Sequence, residues 1–220
     1  LFKINQKDVA VKSAAQAAVI ETAVKNGSIP AVVSVSVQER KRNPQPPFTT
    51  STLQQSANTV LHYSATDTMR YAQQLYEGIE LGNGPVGLIT YMRTDSLRIA
   101  DEALAAARGF ISQRFGTDFQ PAKARTFHTK KNAQDAHEAI RPANPQLEPE
   151  GLRRSLTPDQ YKLYKLIWSR FIACQMADAV LDTMSADIGC GGWMFRATGQ
   201  SVAFPGFLAL YEESTDDLNT

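Results

Sequence analysis

Two cysteines in 220 residues, Cys174 and Cys190, are too few for a disulfide framework and match no zinc-ligand spacing. That usage suits a reducing cytoplasm. Apolar runs are short: none reaches the roughly 20 residues that cross a bilayer, and no stretch reads as a secretory leader. Charge of one sign is also missing. With 23 Lys and Arg against 22 Asp and Glu the net charge is +1, so the chain as a whole is no polyanion binder. Any nucleic-acid surface has to come from local clustering. A GxxxxGK[ST] loop is absent, which leaves no sequence signal for nucleotide hydrolysis. No internal repeat or low-complexity tract is found. What is present is a globular composition, 43% hydrophobic and 20% charged, at a length that buries a core as one domain or two. The chain opens on Leu1 and closes on the acidic, polar residues 212–220, so we expect an excised piece of a longer polypeptide.

The alanine-rich stretch Asp8 to Asn26 is helical in pattern, with Gly27 as its stop. Ala31 to Glu39 then alternates, Val33, Val35 and Val37 against Ser34, Ser36 and Gln38, which predicts a half-buried strand. Asn43-Pro-Gln-Pro-Pro47 breaks regular structure and is the best linker. Beyond it Thr52 to Tyr63 carries Leu53, Ala57, Val60 and Leu61 at helical spacing. Thr68 to Glu77 repeats this with Met69, Ala72, Leu75 and Tyr76, ending at Gly78. Two short helices and a tight turn fit a helix-turn-helix or the commoner αα-hairpin. Glu80 to Pro85 reads as a loop, and Val86 to Tyr91 as a short buried strand. Asp95 or Ser96 is placed to cap a helix running to about Phe115, stopped by Gly116. Thr157-Pro158 is an N-cap with proline at the first helical position, and the helix behind it sets Tyr161, Tyr164, Ile167, Trp168 and Phe171 on one core stripe. Alternation returns from Val180 to Tyr211, with a turn at Gly189-Cys-Gly-Gly192. The expected fold is therefore α+β and multidomain. A mainly helical domain at 48–175 is inserted into a discontinuous β-rich domain at 1–47 and 176–220.

The string Gly87-Leu-Ile-Thr-Tyr-Met-Arg-Thr-Asp-Ser96 places a tyrosine and an arginine two positions apart where an apolar segment ends. A phenol can attack phosphorus, but an ordinary tyrosine ionises near pH 10, so the work needs a neighbour that stabilises the phenolate or takes its proton. Arg93 is the nearest in sequence. An extended backbone puts residues 91 and 93 on one side, and a guanidinium is shaped for bidentate contact with phosphate oxygens. Thr94, Asp95 and Ser96 would follow at a helix N-terminus, whose unpaired N–H groups favour an anion. A tyrosine at a strand end is ordinarily a core residue and an arginine two residues on is ordinarily solvated. The whole string, not the pair, points to chemistry.

A second segment, Ala136-His-Glu-Ala-Ile-Arg-Pro142, spaces His137 and Arg141 at a helical interval, so the two can share a face and meet a phosphate. It is not a zinc-peptidase HExxH, because Arg141 stands where the second histidine belongs. Residues 123–154 hold seven Lys and Arg, including Lys130 and Lys131, against four Asp and Glu. Such a patch can track a single strand, with a salt slope of about 0.7 per neutralised phosphate. It is otherwise a solvated surface.

Both segments resemble motifs of the type IA DNA topoisomerases. Pro47-Phe-Thr-Thr-Ser-Thr-Leu-Gln-Gln55, Leu75-Tyr-Glu-Gly78, Leu166-Ile-Trp-Ser-Arg-Phe-Ile-Ala-Cys-Gln175 and Val202-Ala-Phe-Pro-Gly-Phe207 are similar to that family as well, so the likeness covers nearly the whole chain. It implies that Tyr91 is a nucleophile joined transiently to a DNA 5′-phosphate, that Arg93 steadies the phosphoryl group and that His137 touches the scissile or adjacent phosphate. Glu77, Thr90, Thr94, Asp95 and Ser96 are implied as supporting members, with Lys130, Lys131 and Arg141 as DNA contacts. The partner implied is a single-stranded segment of negatively supercoiled DNA, in a cytoplasmic, nucleoid-associated setting and without ATP. Members of the family also carry a Toprim domain whose clustered acids bind Mg²⁺, and no Asp-x-Asp cluster occurs here. The resemblance is thus to the arch, a β-rich hinge domain and a helical domain with the tyrosine, with no metal site of its own and at best feeble relaxation alone. A non-catalytic single-stranded-DNA-binding or interaction module, with Tyr91 structural, is the competing expectation.

Overall fold

The computed structural model describes residues 3–4, 7–8, 10–27, 29–82, 84–127, 137–190 and 192–211. In chain order it builds β1 (Lys3–Ile4), β2 (Lys7–Asp8), α1 (Ala14–Lys25), β3 (Ala31–Arg42), α2 (Thr50–Leu61), α3 (Ala65–Glu77), β4 (Ile79–Glu80) and β5 (Pro85–Val86). There follow α4 (Asp101–Phe115), α5 (Pro149–Leu152), α6 (Pro158–Cys174), β6 (Ala179–Cys190) and β7 (Trp193–Phe204), with 3-10 turns at Thr117–Phe119 and Gly206–Ala209. Two compact units result: Leu1–Arg42 with Val180–Phe204, and Asn43–Ala179 with Pro205–Thr220. Among the described residues no helix is long and apolar enough to cross a membrane.

The first unit is a five-stranded sheet of order β2-β1-β7-β6-β3. β6 and β7 form an antiparallel hairpin closed at Cys190↔Trp193, where the glycines predicted a turn. Within it Asp187 lies opposite Arg196 and accepts two hydrogen bonds from the guanidinium, which holds the carboxyl below its usual range. The helix expected from Asp8 starts at Ala14 instead. Lys7–Asp8 is taken up in pairing with Lys3–Ile4, and the Ser13 hydroxyl caps α1 by accepting from the Gln16 N–H. β3 departs from expectation too. Val33, Val35 and Val37 are 61%, 57% and 64% exposed, and α1, the helix of this unit, buries none of its own residues.

The second unit holds the main core. α2 and α3 make an αα-hairpin through His62–Ser64, with Leu53, Ala57, Ala72 and Leu75 buried. α6 begins at a capping box between Thr157 and Gln160 with Pro158 in the first turn. Tyr164, Ile167, Trp168 and Phe171 are core as expected, each contributing about 1.5–3 kcal/mol by burial. Tyr161 is only half-buried and donates to Glu150 at 2.6 Å. Trp168 donates to the Pro145 carbonyl at 2.9 Å and meets Phe110 edge to face.

Residues 43–47, 176–179 and 205–211 were expected with the β-rich part, yet belong to the helical unit. The Arg170 side chain explains the last of these. It is buried between the rings of Phe48 and Tyr211, at 4.6 and 4.9 Å, and donates to the Tyr211 hydroxyl at 2.8 Å. Phe207 is fully buried, and its N–H donates to the Ala177 carbonyl at 3.0 Å. Gly206 permits this return: it sits at φ +49, and a Cβ there would lie 2.3 Å from the Asp178 carbonyl oxygen.

Three stretches cross irregularly to frame the tyrosine segment. Phe48 bridges Ile140, and Ile89 bridges Pro142. The Thr90 N–H donates to the Arg141 carbonyl at 2.9 Å, while its hydroxyl donates to the Ala139 carbonyl at 2.7 Å and accepts from the Arg141 N–H at 3.0 Å. From the other side the Thr50 hydroxyl lies 2.8 Å from the Met92 carbonyl and accepts the Thr94 N–H at 2.8 Å. The strand expected over Val86 to Tyr91 is therefore replaced: only Pro85–Val86 pairs regularly, with Ile79–Glu80, and the rest is held by these bridges. The expected loop at 80–85 is the end of that small hairpin, where Glu80 accepts from the N–H groups of Gly82 and Gly84.

Removing the Thr90 hydroxyl as Thr90→Val leaves a partly buried carbonyl and N–H unpaired. We expect a loss of about 1–3 kcal/mol in urea unfolding, with Thr90→Ser close to the parent; equal stability of Val and Thr would contradict this. Burial pushes the Cys174 thiol up to about 12 from 9.0 and raises the Tyr164 phenol as well. Tyr63 is raised by burial and by donating to Asp159. All three hold their protons more tightly folded than unfolded, so stability is intact below the unfolded pKa values and falls as the pH rises. The urea midpoint should drop from about pH 9 upward, and less steeply in Cys174→Ala; a flat alkaline profile would contradict it.

Candidate functional site

From Tyr91 to Ser96 exposure alternates residue by residue. Tyr91, Arg93 and Asp95 are exposed, whereas Met92, Thr94 and Ser96 are buried. The backbone bends at Thr90, Met92 and Arg93, so the alternation comes not from a regular strand but from Thr50, which holds the Met92 carbonyl and the Thr94 N–H inward. Tyr91 is 38% exposed, its ring centroid 5.7 Å from that of His137 and 5.4 Å from that of Tyr76. Three aromatic rings thus run in a row with Tyr91 in the middle. Among the described residues Arg93 makes no hydrogen bond or ion pair, so its guanidinium is available to an anion.

The helix expected behind an Asp95 or Ser96 cap begins at Asp101 instead, with Ala100 as its N-cap, five or four residues later. The intervening residues use their donors locally. Ser96 N–H donates to the Thr94 hydroxyl at 3.0 Å, Arg98 N–H to the Ser96 hydroxyl at 3.1 Å, and Ala139 N–H to the Arg98 carbonyl at 2.8 Å. No open helix N-terminus at 94–96 exists to cradle a phosphate. Thr94 and Ser96 act as internal braces.

His137 and Arg141 do not lie on a helix. Residues 137–143 run irregularly, exposing His137 while the Arg141 side chain is 11% exposed and paired to Glu138 at 2.6 Å. Arg141 also donates to the Pro142 carbonyl, and its Nε is buried without a partner. Glu138 accepts the Ala100 N–H as well, so one carboxylate joins the start of α4 to the residue beside His137. Glu77 is exposed at the end of α3 and accepts from Gln73. Thr90 faces the bridge to Ala139 and Arg141. Lys130 and Lys131 lie outside the described residues. Arg125, counted in the basic patch, is tied to Asp178, Met176 and Gln175. Among the described residues no three His, Cys, Asp or Glu side chains group as metal donors.

Thr50, Glu138 and Tyr76 shape the site but carried no assigned role in the sequence reading. Thr50 is in the first turn of α2, where a hydroxyl is ordinary, and a glutamate next to a histidine in sequence is ordinarily solvated. Tyr76 fell on the apolar stripe of its helix, where a ring is expected inside.

Residues 2–220 match the family model described as DNA topoisomerase. DNA topoisomerase 1 of Rickettsia prowazekii (strain Madrid E) is 46% identical over 189 residues, 84% of this chain and 24% of the relative. Full-length topoisomerase I from Thermotoga maritima matches with a TM-score of 0.78 and 34% identity, covering 95% of this chain and 33% of that one. The chain thus spans about a quarter of the first relative and a third of the second. With the likeness running along nearly all its residues, through the tyrosine segment and the fold around it, the chain belongs to the type IA DNA topoisomerase family.

Proposed function

We propose that this chain supplies the nucleophile-bearing part of a type IA topoisomerase. Tyr91 attacks one phosphorus of a single DNA strand. A Tyr91 Oη–P bond forms and the P–O3′ bond breaks, leaving a 5′-phosphotyrosine and a free 3′-hydroxyl. The phenol proton lost is balanced by the proton gained at the 3′-oxygen. Because one phosphoester replaces another, religation by the reverse step needs no ATP. Arg93 holds the nonbridging oxygens, and His137 contacts the scissile or neighbouring phosphate. Asp95 and Glu77 are supporting groups, while Thr90, Thr94 and Ser96 hold the segment in place. The reading rests on one observation above the rest: Tyr91 and Arg93 are both exposed on a braced segment, with the His137 ring 5.7 Å from the tyrosine.

In the same reading the helical unit is set into a discontinuous hinge, and Mg²⁺ is held by acidic residues of a Toprim domain of the longer polypeptide. Neither the metal nor that domain enters the roles given to residues here. The strand bound is a single-stranded segment of negatively supercoiled DNA, and the setting is the cytoplasm, at the nucleoid.

Supplying the acidic domain in trans with a labelled oligonucleotide should yield an SDS-stable adduct that Tyr91→Phe abolishes. Arg93→Ala should slow adduct formation by about 10²–10³-fold, the usual effect of deleting one charge-stabilising donor. DNA binding that ignores Tyr91→Phe, with no adduct under any condition, would favour a non-catalytic binding module. Plasmid relaxation by the chain alone should be absent or feeble, as read on an agarose gel.

A further inference from the structure

All seven tyrosines of the chain lie among the described residues, and five of their hydroxyls are engaged. Tyr63 and Tyr71 both donate to Asp159, Tyr161 to Glu150 and Tyr164 to the Leu147 carbonyl, while Tyr211 accepts from Arg170. Tyr76 and Tyr91 are the two whose hydroxyls have no partner among the described residues, and they touch each other. Tyr76 is also 41% exposed although it sits on the apolar stripe of α3.

Its position is set by backbone. The Leu75 carbonyl accepts the Leu88 N–H at 2.8 Å, and a Cβ on Gly87 would fall 2.8 Å from the Tyr76 carbonyl oxygen. Only glycine lets the chain leading to Tyr91 lie so close against the end of α3. The main chains on which the two tyrosines stand are thus held close together, and their rings meet at 5.4 Å and 64°. An exposed ring without a polar partner, locked beside a nucleophile, matches what a flexible polynucleotide offers. Every nucleobase has a π-face, and stacking on an aromatic side chain tolerates any sequence.

We propose that Tyr76 is a nucleobase platform: its ring stacks on a base of the same single strand whose phosphate Tyr91 engages. It is a positioning residue and makes no bond to the reacting phosphorus. The proposal rests on the DNA-strand reading of Tyr91 given above. The occupant is a base of unpaired DNA, because a base stacked in duplex offers no free face.

The test measures anisotropy of a short labelled oligodeoxynucleotide, and of its fully abasic counterpart, with this 220-residue chain. Tyr76→Ala should weaken binding of the base-bearing strand about tenfold, within the range of one lost stacking partner, and leave abasic binding unchanged. Tyr76→Phe should match the parent on both strands. Tyr76→Leu keeps apolar contact with Tyr91 without an aromatic face and should behave as Tyr76→Ala. Equal losses on both strands, or no loss on either, would overturn the platform and leave the ring as a seat for another protein segment. A parent chain that binds neither strand would remove the DNA reading itself, and the platform with it.

Discussion

The hydroxyl of Thr90 is the point on which the arrangement around Tyr91 depends. It donates to the Ala139 carbonyl and accepts the Arg141 N–H, joining two segments 49 and 51 residues apart in sequence. Neither segment has a regular partner strand at that place. Without that oxygen two backbone groups would be stranded in a partly buried gap, and the register between the tyrosine and the histidine segments would be loosely specified. Thr50 does the corresponding work on the far side through Met92 and Thr94. An irregular stretch is thereby tied on both sides, while Tyr91, Arg93 and Asp95 stay exposed.

That division has an energetic logic. Met92, Thr94 and Ser96 turn their polar and apolar groups inward, while Tyr91, Arg93 and Asp95 stay exposed, Tyr91 with ring contacts to Tyr76 and His137. The Arg141–Glu138 pair shows the opposite choice. Its charges are mostly withdrawn from water, and removing either one would leave the other exposed to a desolvation penalty. Arg93 and Arg141 are thus in opposite physical settings, one exposed and one paired and mostly buried, although a linear reading treats them alike.

Much of the helical unit was legible because its signals are local. Thr157-Pro158, the stripe from Tyr164 to Phe171 and the stop at Gly116 are short-range caps and periodicities, and each appears where expected. The start of α4 was misplaced since Asp95 and Ser96 are good caps in isolation. Contacts from Thr50, Ala139 and Glu138, all distant in sequence, join the Thr94 and Ser96 hydroxyls in keeping residues 94–100 out of the helix. The same limit explains β3, whose alternating valines predict a covered face that the first unit does not supply. It also explains Tyr211, which pattern alone joins to the preceding strand but which Arg170 draws into the helical core. Tyr91 and Arg93 were singled out by their string, yet their joint exposure follows from braces the string does not contain.

The return of the chain at Gly206 has a consequence for length variation. Ala177 and Phe207 are hydrogen bonded, so the excursion through β6 and β7 leaves and re-enters the helical unit at one spot. Its ends stay closed whatever lies between them. Doubling such an excursion adds only about 0.6 kcal/mol of closure entropy, so residues inserted beyond Cys190 would scarcely burden the helical fold.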